Sequence, residues 1–181
     1  MSDVATRSRR PEILRVSLEL FASQGYEKTS LRDIAERLGF TKAALYYHYR
    51  TKEALLADLF GPVIAAGDAI VADNTEMRTR ATRRAFLVEY FDHLWRHRAL
   101  LCHVACDVTV LSATAAGAPI ARHVAAVIGL LAPDSDAAGF IVAKAALGAL
   151  QGPITLADPG DDVEIVRDVA VDAALAVLSR R

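Results

Sequence analysis

The amino-acid sequence predicts an all-α protein with two domains. Apolar residues recur at helical spacing along nearly the whole chain, and no segment alternates apolar and polar residues cleanly enough for a β-strand. Glycines, prolines and capping side chains separate these periodic stretches. The 181 residues, 53% of them apolar, are enough for a small N-terminal domain, which we place at 1–52, and a larger helical domain at 53–181.

The first two helices have clear boundaries. Pro11 suits the first turn of a helix, and Gly25 ends that helix. Ser30 can cap a second helix, with Asp33 three residues later as an approximate capping box, and Gly39 stops it. Each helix has one apolar face, formed by Ile13, Val16, Leu20 and Phe21 in the first and by Leu31, Ile34, Ala35 and Leu38 in the second.

A short third helix is expected from Thr41 to about His48, and a fourth begins after Thr51. Proline removes a backbone hydrogen bond and clashes with the preceding turn, so we expect a kink or break in the fourth helix at Gly61–Pro62. A polar, charged stretch, Asp73–Arg84, follows it. The remaining helices are expected around Phe86 to Trp95 and at about 99–112, 119–131, 135–151 and 162–179, with breaks at Gly117–Pro119, Pro133–Ser135 and "QGPITLADPGDD".

Charge and composition argue for a cytoplasmic protein that makes no use of a membrane. No apolar run of about 18 residues lacks a charge, and the N-terminal residues contain no apolar stretch typical of a signal peptide. The two cysteines, Cys102 and Cys106, do not indicate a disulfide framework. The net charge is −1, but residues 1–60 carry 10 basic and 8 acidic side chains. This mild excess permits an N-terminal domain that binds nucleic acid.

The second and third helices, joined by a glycine turn, form a helix-turn-helix pattern. A helix fits the major groove of DNA, and the N-terminal residues of a recognition helix reach base edges. The same geometry occurs in ordinary helical proteins, so some aromatic residues here must belong to a core. We expect Leu45, Tyr49 and one of Tyr46 or Tyr47 to pack inward. The polar and aromatic residues that could meet DNA are Thr41, Lys42, Tyr46, Tyr47, His48, Arg50 and Lys52.

The stretch "TSLRDIAERLGFTKAALYYHYRTKEALL" resembles the DNA-binding segment of the TetR family of bacterial transcriptional regulators. The preceding "ILRVSLELFASQGYEKTS" is similar to the first helix of that family, so the resemblance covers about residues 9–60. It implies a three-helix DNA-binding domain fused to a helical domain that senses a ligand and dimerises.

The resemblance also implies individual DNA contacts. It places Thr41, Lys42 and Ala43 at the base-facing start of the recognition helix, Tyr46 and His48 at DNA-backbone contacts, and Thr29, Ser30 and Lys52 at phosphate contacts. The chain departs from the family where a glycine often follows the lysine, since Ala43 and Ala44 stand there. Alanine can touch a thymine methyl but reads no donor or acceptor, so base reading would rest on Thr41, Lys42 and Tyr47.

The last two helices carry wide apolar faces with small residues, among them Ala145, Gly148, Ala173 and Ala174. These faces could be buried within one chain. We favour a homodimer, in which two helices from each copy form a four-helix interface. Its two-fold axis would pair two recognition helices on a near-palindromic double-stranded DNA operator.

The sensor pocket is predicted from polar groups in apolar surroundings and from aromatic residues that could line a cavity. The candidate residues are Tyr90, Phe91, Trp95, Asp107, Phe140 and Lys144. The aromatic residues could instead be plain core, and Lys144 could be salt-bridged. The effector would be a small molecule that the sequence does not name.

His93 and His97 are four residues apart, with Cys102, His103 and Cys106 nearby. No carboxylate-rich or repeated spacing accompanies them, so we predict neither a metal site nor a cofactor. An alternative function is a helical enzyme whose acid–base groups come from Asp92, His93 and His97 or from His103 and Asp107. A glycine-rich phosphate loop and a serine elbow are missing from the sequence. A DNA-binding protein without a ligand is a third possibility.

Overall fold

A computed structural model describes residues 9–102, 117–132, 136–158 and 160–179. Within these ranges the structure contains nine helices and no strand, as the all-α prediction requires. The helices are α1 (Arg10–Gln24), α2 (Leu31–Leu38), α3 (Lys42–His48), α4 (Lys52–Asp73), α5 (Arg80–Arg96), α6 (Arg98–Leu100), α7 (Gly117–Leu131), α8 (Ala137–Leu156) and α9 (Val163–Leu178).

The capping residues identified in the sequence hold the ends of α2 and α3. The Ser30 hydroxyl accepts a hydrogen bond from the Asp33 amide at 3.2 Å, and the Asp33 carboxylate accepts one from the Ser30 amide at 2.8 Å. Gly39 ends α2 with φ of 67°, a left-handed conformation that favours glycine. The Thr41 hydroxyl then accepts from the Ala44 amide at 3.1 Å. These local bonds fix where α3 begins.

One predicted break is wrong, and another begins later in the chain than predicted. Helix α4 continues through Gly61–Pro62 without a break, and α8 continues through Pro153 to Leu156, past the expected end near residue 151. Pro62 itself is exposed, whereas Phe60 and Val63 on either side of it are buried, so a break here would give up buried apolar contacts. The free-energy cost of keeping proline within the helix is therefore smaller than the cost of breaking a long apolar helix.

The chain divides into two compact units, and α4 contributes residues to both. The first unit comprises Met1–Pro62 and Ala99–Pro119, and the second comprises Val63–Arg98 and Ile120–Arg181. In the first unit α2 packs against α1 and α3. The fully buried side chains of this unit include Ile13, Phe21, Ile34, Leu45, Leu55 and Leu56. In the second unit α8 and α9 pack against each other and both contact α5, around Phe86, Leu87, Tyr90, Phe91, Leu150 and Val171.

Two helices, α4 and α8, are long and apolar enough to cross a membrane by length and composition alone. The same property is found in core helices, so it is weak evidence of a membrane span. Both helices have residues that are fully buried against protein, such as Leu55 in α4 and Leu150 in α8.

Candidate functional site

Helix α3 presents an exposed polar and aromatic face. Tyr47 is 76% exposed and Tyr46 39% exposed, so the prediction that one of them packs inward is wrong. Leu45 and Tyr49 alone anchor this segment, at 0% and 2% exposure. The side chains of Thr41, Lys42, Ala43 and Ser30 are also exposed, while that of His48 is half-buried. The helix therefore offers most of its predicted DNA-contacting residues to the outside of the unit.

A buried tyrosine joins the end of α3 to two other helices of the first unit. The Tyr49 hydroxyl donates to Asp58 of α4 at 2.7 Å and accepts from Arg10 of α1 at 3.3 Å, and Arg10 also pairs with Asp58 at 2.6 Å. Burial, followed by the hydrogen bond with Asp58, raises the pKa of Tyr49 to about 12, which keeps the hydroxyl protonated. This network holds the end of α3 against α1 and α4 and occupies Arg10.

Two residues that the resemblance assigns to phosphate contacts have partners inside the unit. The ammonium of Lys52 donates to the backbone carbonyls of Tyr26, at 2.7 Å, and Glu27, at 3.4 Å, and lies 4.1 Å from the centre of the Tyr26 ring. Thr29 is 2% exposed, and its hydroxyl donates to the Gly25 carbonyl at 2.8 Å. Both side chains thus tie the turn after α1 to neighbouring parts of the unit.

The second unit contains a buried polar cluster that sequence analysis missed. The His123 ring of α7 places Nδ1 2.6 Å from Asp68 of α4 and Nε2 2.9 Å from the Tyr90 hydroxyl of α5. A carboxylate only accepts hydrogen bonds, so Nδ1 donates to Asp68, and when Nδ1 alone carries the proton of the ring, Nε2 accepts from the Tyr90 hydroxyl. Burial raises the pKa of Tyr90 well above its ordinary value, in keeping with a protonated donor.

His93 of α5 lies in the same cluster and is 2% exposed. Its ring centre is 6.1 Å from that of Tyr90 and 5.2 Å from that of His97. Burial, and after it His97, His123 and Arg96, lowers the pKa of His93, while a hydrogen bond to the Val63 backbone opposes this effect. The ring is therefore neutral near pH 7.

The lowered pKa of His93 predicts a pH-dependent stability. The unfolded chain takes up the proton at about pH 6.5 and the folded chain only at lower pH, so acid favours unfolding. We expect the free energy of unfolding to fall as the pH drops below about 6.5 and the slope to be smaller in His93→Gln. Urea denaturation at a series of pH values measures both slopes, and equal slopes would contradict the prediction.

Gly67 of α4 makes this cluster possible. A Cβ at this position would lie 2.6 Å from Cε1 and 2.8 Å from Nε2 of His123, and 3.3 Å from Nε2 of His93. The His123 ring therefore approaches the α4 backbone more closely than any other residue at position 67 would allow, and the His93 ring would have to give way by a few tenths of an ångström. The histidine within "IARHVAAVIGLL" is the sequence feature that could have indicated a buried polar group on α7.

Replacement of Gly67 by Ala is expected to destabilise the protein by about 1–3 kcal/mol, because the methyl group overpacks a ring held at both nitrogens. The matched control is Gly61→Ala in the same helix, where an added Cβ meets nothing within 4 Å. That control should be stabilised by about 0.5–1 kcal/mol, since alanine favours helix. Chemical denaturation of both variants gives the two signs, and a stabilised Gly67→Ala protein would be the contrary result.

The predicted ligand-binding residues are not brought together as one group. Tyr90 and Phe91 are buried on α5, and Trp95 stacks on Phe91 with ring centres 5.7 Å apart. Phe140 and Lys144 lie on an exposed face of α8, where the Lys144 ammonium is 4.7 Å from the Phe140 ring centre. Asp107 lies outside the described residues, as do His103 and Cys106.

Helices α8 and α9 each carry an exposed apolar stripe. The most exposed large side chains are Ile141 at 65% and Leu156 at 83% on α8, and Ile165 at 64% and Val169 at 60% on α9. A Cβ added at Gly148 or Gly152 of α8 would meet nothing within 4 Å, so packing within the chain does not require glycine there. An open groove runs beside these stripes and is lined by Pro153, Leu156, Ala157, Asp161, Asp162, Ile165, Val166 and Val169.

Comparison with known proteins finds a family match for the N-terminal part of the chain. Residues 13–59 match the family model described as bacterial regulatory proteins, tetR family. The chain is 36% identical over 52 residues to the transcriptional repressor KstR2 of Mycolicibacterium smegmatis and 44% identical over 48 residues to the class C tetracycline repressor of Escherichia coli. These matches cover 29% and 26% of this chain but only 25% and 22% of those two relatives.

The fold of the rest of the chain also has solved counterparts. The KstR2 structure of Mycobacterium tuberculosis superimposes with a TM-score of 0.72 at 19% identity, over 94% of this chain and 93% of that one. A TetR-family regulator of Bordetella parapertussis gives 0.73 at 18% identity, over 99% and 96%. Residues 13–59 therefore match the TetR family, and the chain has the fold of the solved TetR-family regulators.

Proposed function

We propose that this protein is a ligand-responsive transcriptional regulator of the TetR family that acts in the cytoplasm, most simply as a repressor released from its operator by a small molecule. The exposed recognition helix carries the proposal. Helix α3 is capped by Thr41, anchored through Leu45 and Tyr49, and exposes Lys42 and Tyr47. Exposed polar side chains at the start of a recognition helix contact base edges and phosphates, and this supports the proposal.

The proposed DNA contacts fall into two groups. Those made directly involve Ser30, Thr41, Lys42, Ala43, Tyr46, Tyr47 and His48. Thr29 and Lys52 already bond inside the unit, so we assign them the role of holding the turn after α1 in place. Residues 1–52 would thus form the DNA-binding domain, and residues 53–181 the sensing and dimerising domain.

A homodimer through α8 and α9 fits the exposed stripes on these helices. Large apolar side chains alternate there with glycines and alanines, which let helices approach closely. A two-fold dimer would present two recognition helices to the half-sites of a near-palindromic operator. The effector would bind in the second unit and favour a domain arrangement that no longer matches the spacing of the half-sites.

Fluorescence anisotropy with the DNA upstream of the protein's own gene, and a scrambled control, tests the proposal. We expect selective binding that weakens steeply with salt, with a log–log slope on the order of −5 or steeper for several phosphate contacts in each half-site. Selection from genomic fragments extends the test to distant operators. Equal, weak binding in both experiments would reject the regulator function.

The alternative function, an acid–base enzyme, receives less support from the described residues. Asp92 accepts a hydrogen bond from Arg167 at 3.5 Å, so its carboxylate has a structural partner. His93 is buried and points into the cluster with Tyr90. The two relatives reported above, KstR2 and the class C tetracycline repressor, are named as transcriptional repressors.

A further inference from the structure

Helix α3 has a single buried residue of its own. Among its seven residues Leu45 alone is buried. The capping bond from the Ala44 amide to the Thr41 hydroxyl stays within the helix and ties it to nothing else. One apolar anchor fixes the position of a short helix, but it leaves the helix free to tilt and to turn about that anchor. A second, directional contact is therefore needed to fix the orientation of α3.

The Tyr49 hydroxyl provides such a contact. Tyr49 caps the C-terminus of α3, where its amide donates to the Leu45 carbonyl at 2.9 Å, and its side chain is buried. The hydroxyl donates to Oδ2 of Asp58 at 2.7 Å, and the same oxygen accepts from Arg10 at 2.6 Å. Arg10 also donates to the hydroxyl at 3.3 Å. Because the acceptor is a carboxylate, these bonds are charge-assisted and roughly twice as strong as neutral ones.

This hydroxyl acts at the opposite end of α3 from Thr41 and Lys42, which stand at its start. A helix of seven residues is about 10 Å long. A tilt of about 10° around its C-terminus moves the first turn by about 2 Å, which is more than a hydrogen bond to a base edge tolerates. Attraction between charges and phosphates weakens more gradually with distance. An error in the orientation of α3 would thus reduce base discrimination more than total affinity.

We propose that the hydrogen bond between Tyr49 and Asp58 sets the orientation of α3 on DNA, so that both are positioning residues for base discrimination. The inference rests on the proposed regulator function and names two residues outside its DNA contacts. Neither side chain contacts DNA itself. The single hydroxyl proton of Tyr49 is used by Asp58, and a carboxylate offers no donor to a phosphate.

Tyr49→Phe in the full-length protein removes the hydroxyl and keeps the ring. The matched control is Tyr26→Phe, because Tyr26 is buried in the same unit and its hydroxyl has no hydrogen-bond partner among the described residues. Anisotropy gives the affinities of each variant for the DNA upstream of the gene, or for a fragment recovered by genomic selection, and for a scrambled copy. Circular dichroism sets a temperature at which every variant is folded.

The ratio of the two affinities is expected to fall about fivefold or more in Tyr49→Phe, which is the smaller end of the effect of one lost base contact. The salt slope on scrambled DNA should stay at the wild-type value, since no phosphate contact is removed. Tyr26→Phe should keep the wild-type ratio. A merely structural role of Tyr49 would lower the midpoint of thermal unfolding and leave the ratio of the folded protein unchanged.

Two variants of Asp58 test the other partner of the bond. Asp58→Ala removes the acceptor and should lower the ratio as Tyr49→Phe does, whereas Asp58→Asn keeps an oxygen acceptor and should stay near the wild-type ratio. Asp58→Ala also releases the charge of Arg10, but this strengthens binding to both DNAs alike and leaves their ratio unaffected. The double variant with Phe at 49 and Ala at 58 should be no less selective than either single one. Both Asp58 variants retain Tyr49, so a folding defect of Tyr49→Phe leaves the test intact.

The inference is overturned if the wild-type protein is selective and both Tyr49→Phe and Asp58→Ala keep its ratio. It is also overturned if the two losses multiply in the double variant, or if Tyr26→Phe loses as much selectivity as Tyr49→Phe. In each of these cases the regulator function still stands. A wild-type protein that binds upstream and selected DNA no better than scrambled DNA rejects the regulator function, and this inference with it.

Discussion

Replacement of Val169 by Glu is expected to separate the two copies of the proposed dimer and to weaken operator binding on the order of 100-fold or more. Val169 is 60% exposed on α9, so within one chain the new carboxylate stays in water and should change stability by about 0.5 kcal/mol or less. In the proposed interface the same charge would be buried without a partner, at a cost of several kcal/mol. A single subunit then loses the gain in operator affinity that two linked recognition helices provide, which is about 10²–10⁴-fold.

Ala125→Glu on α7 is the matched control, because it adds the same charge at a different exposed apolar position of the second unit. Sedimentation velocity gives the oligomeric state of the wild-type protein and both variants, and anisotropy gives their operator affinities. A Val169→Glu protein that still sediments as a dimer would place the interface elsewhere. A monomer that keeps the full affinity would show that dimerisation does not support DNA binding.

The helices of the first unit were predictable because local chemistry determines them. Ser30, Asp33, Gly39 and Thr41 act through hydrogen bonds and backbone conformations within a few residues, and the structure shows each of those bonds. The continuity of α4 through Pro62 was not predictable from the same local rules. It depends on which side of the helix faces water, and this is a property of tertiary packing.

The candidate sites were predictable to different extents. The face of α3 follows from its place after a capped turn, although the exposure of both Tyr46 and Tyr47 does not. The cluster in the second unit joins Asp68, Tyr90 and His123, which come from three helices far apart in sequence. Periodicity describes one helix at a time, so it could mark Tyr90 as a core residue without identifying its partners.

Lys42 and Lys52 are expected to differ in what they contribute to DNA binding. Lys42 is exposed at the start of α3, and its ammonium lies over the Tyr46 ring at 5.4 Å, with no carboxylate partner among the described ion pairs. Lys42→Met should reduce the salt slope by about 2 for a dimer, because each phosphate that a subunit no longer neutralises lowers the slope by about 0.9. Its free energy of unfolding should change by about 0.5 kcal/mol or less.

Lys52→Met should give the opposite combination. Its ammonium bonds to the carbonyls of Tyr26 and Glu27, so its removal should destabilise the first unit by about 1 kcal/mol, after allowing for partial exposure of these bonds to water. The salt slope should change by less than half the value for Lys42→Met. Thermal denaturation and anisotropy across salt measure the two quantities, and an equal decrease in slope for both variants would show that Lys52 meets a phosphate, as the family resemblance implies. An ammonium has three N–H donors, and the two carbonyls occupy two of them. The decrease in salt slope that Lys52→Met causes therefore measures whether the third donor contacts a phosphate.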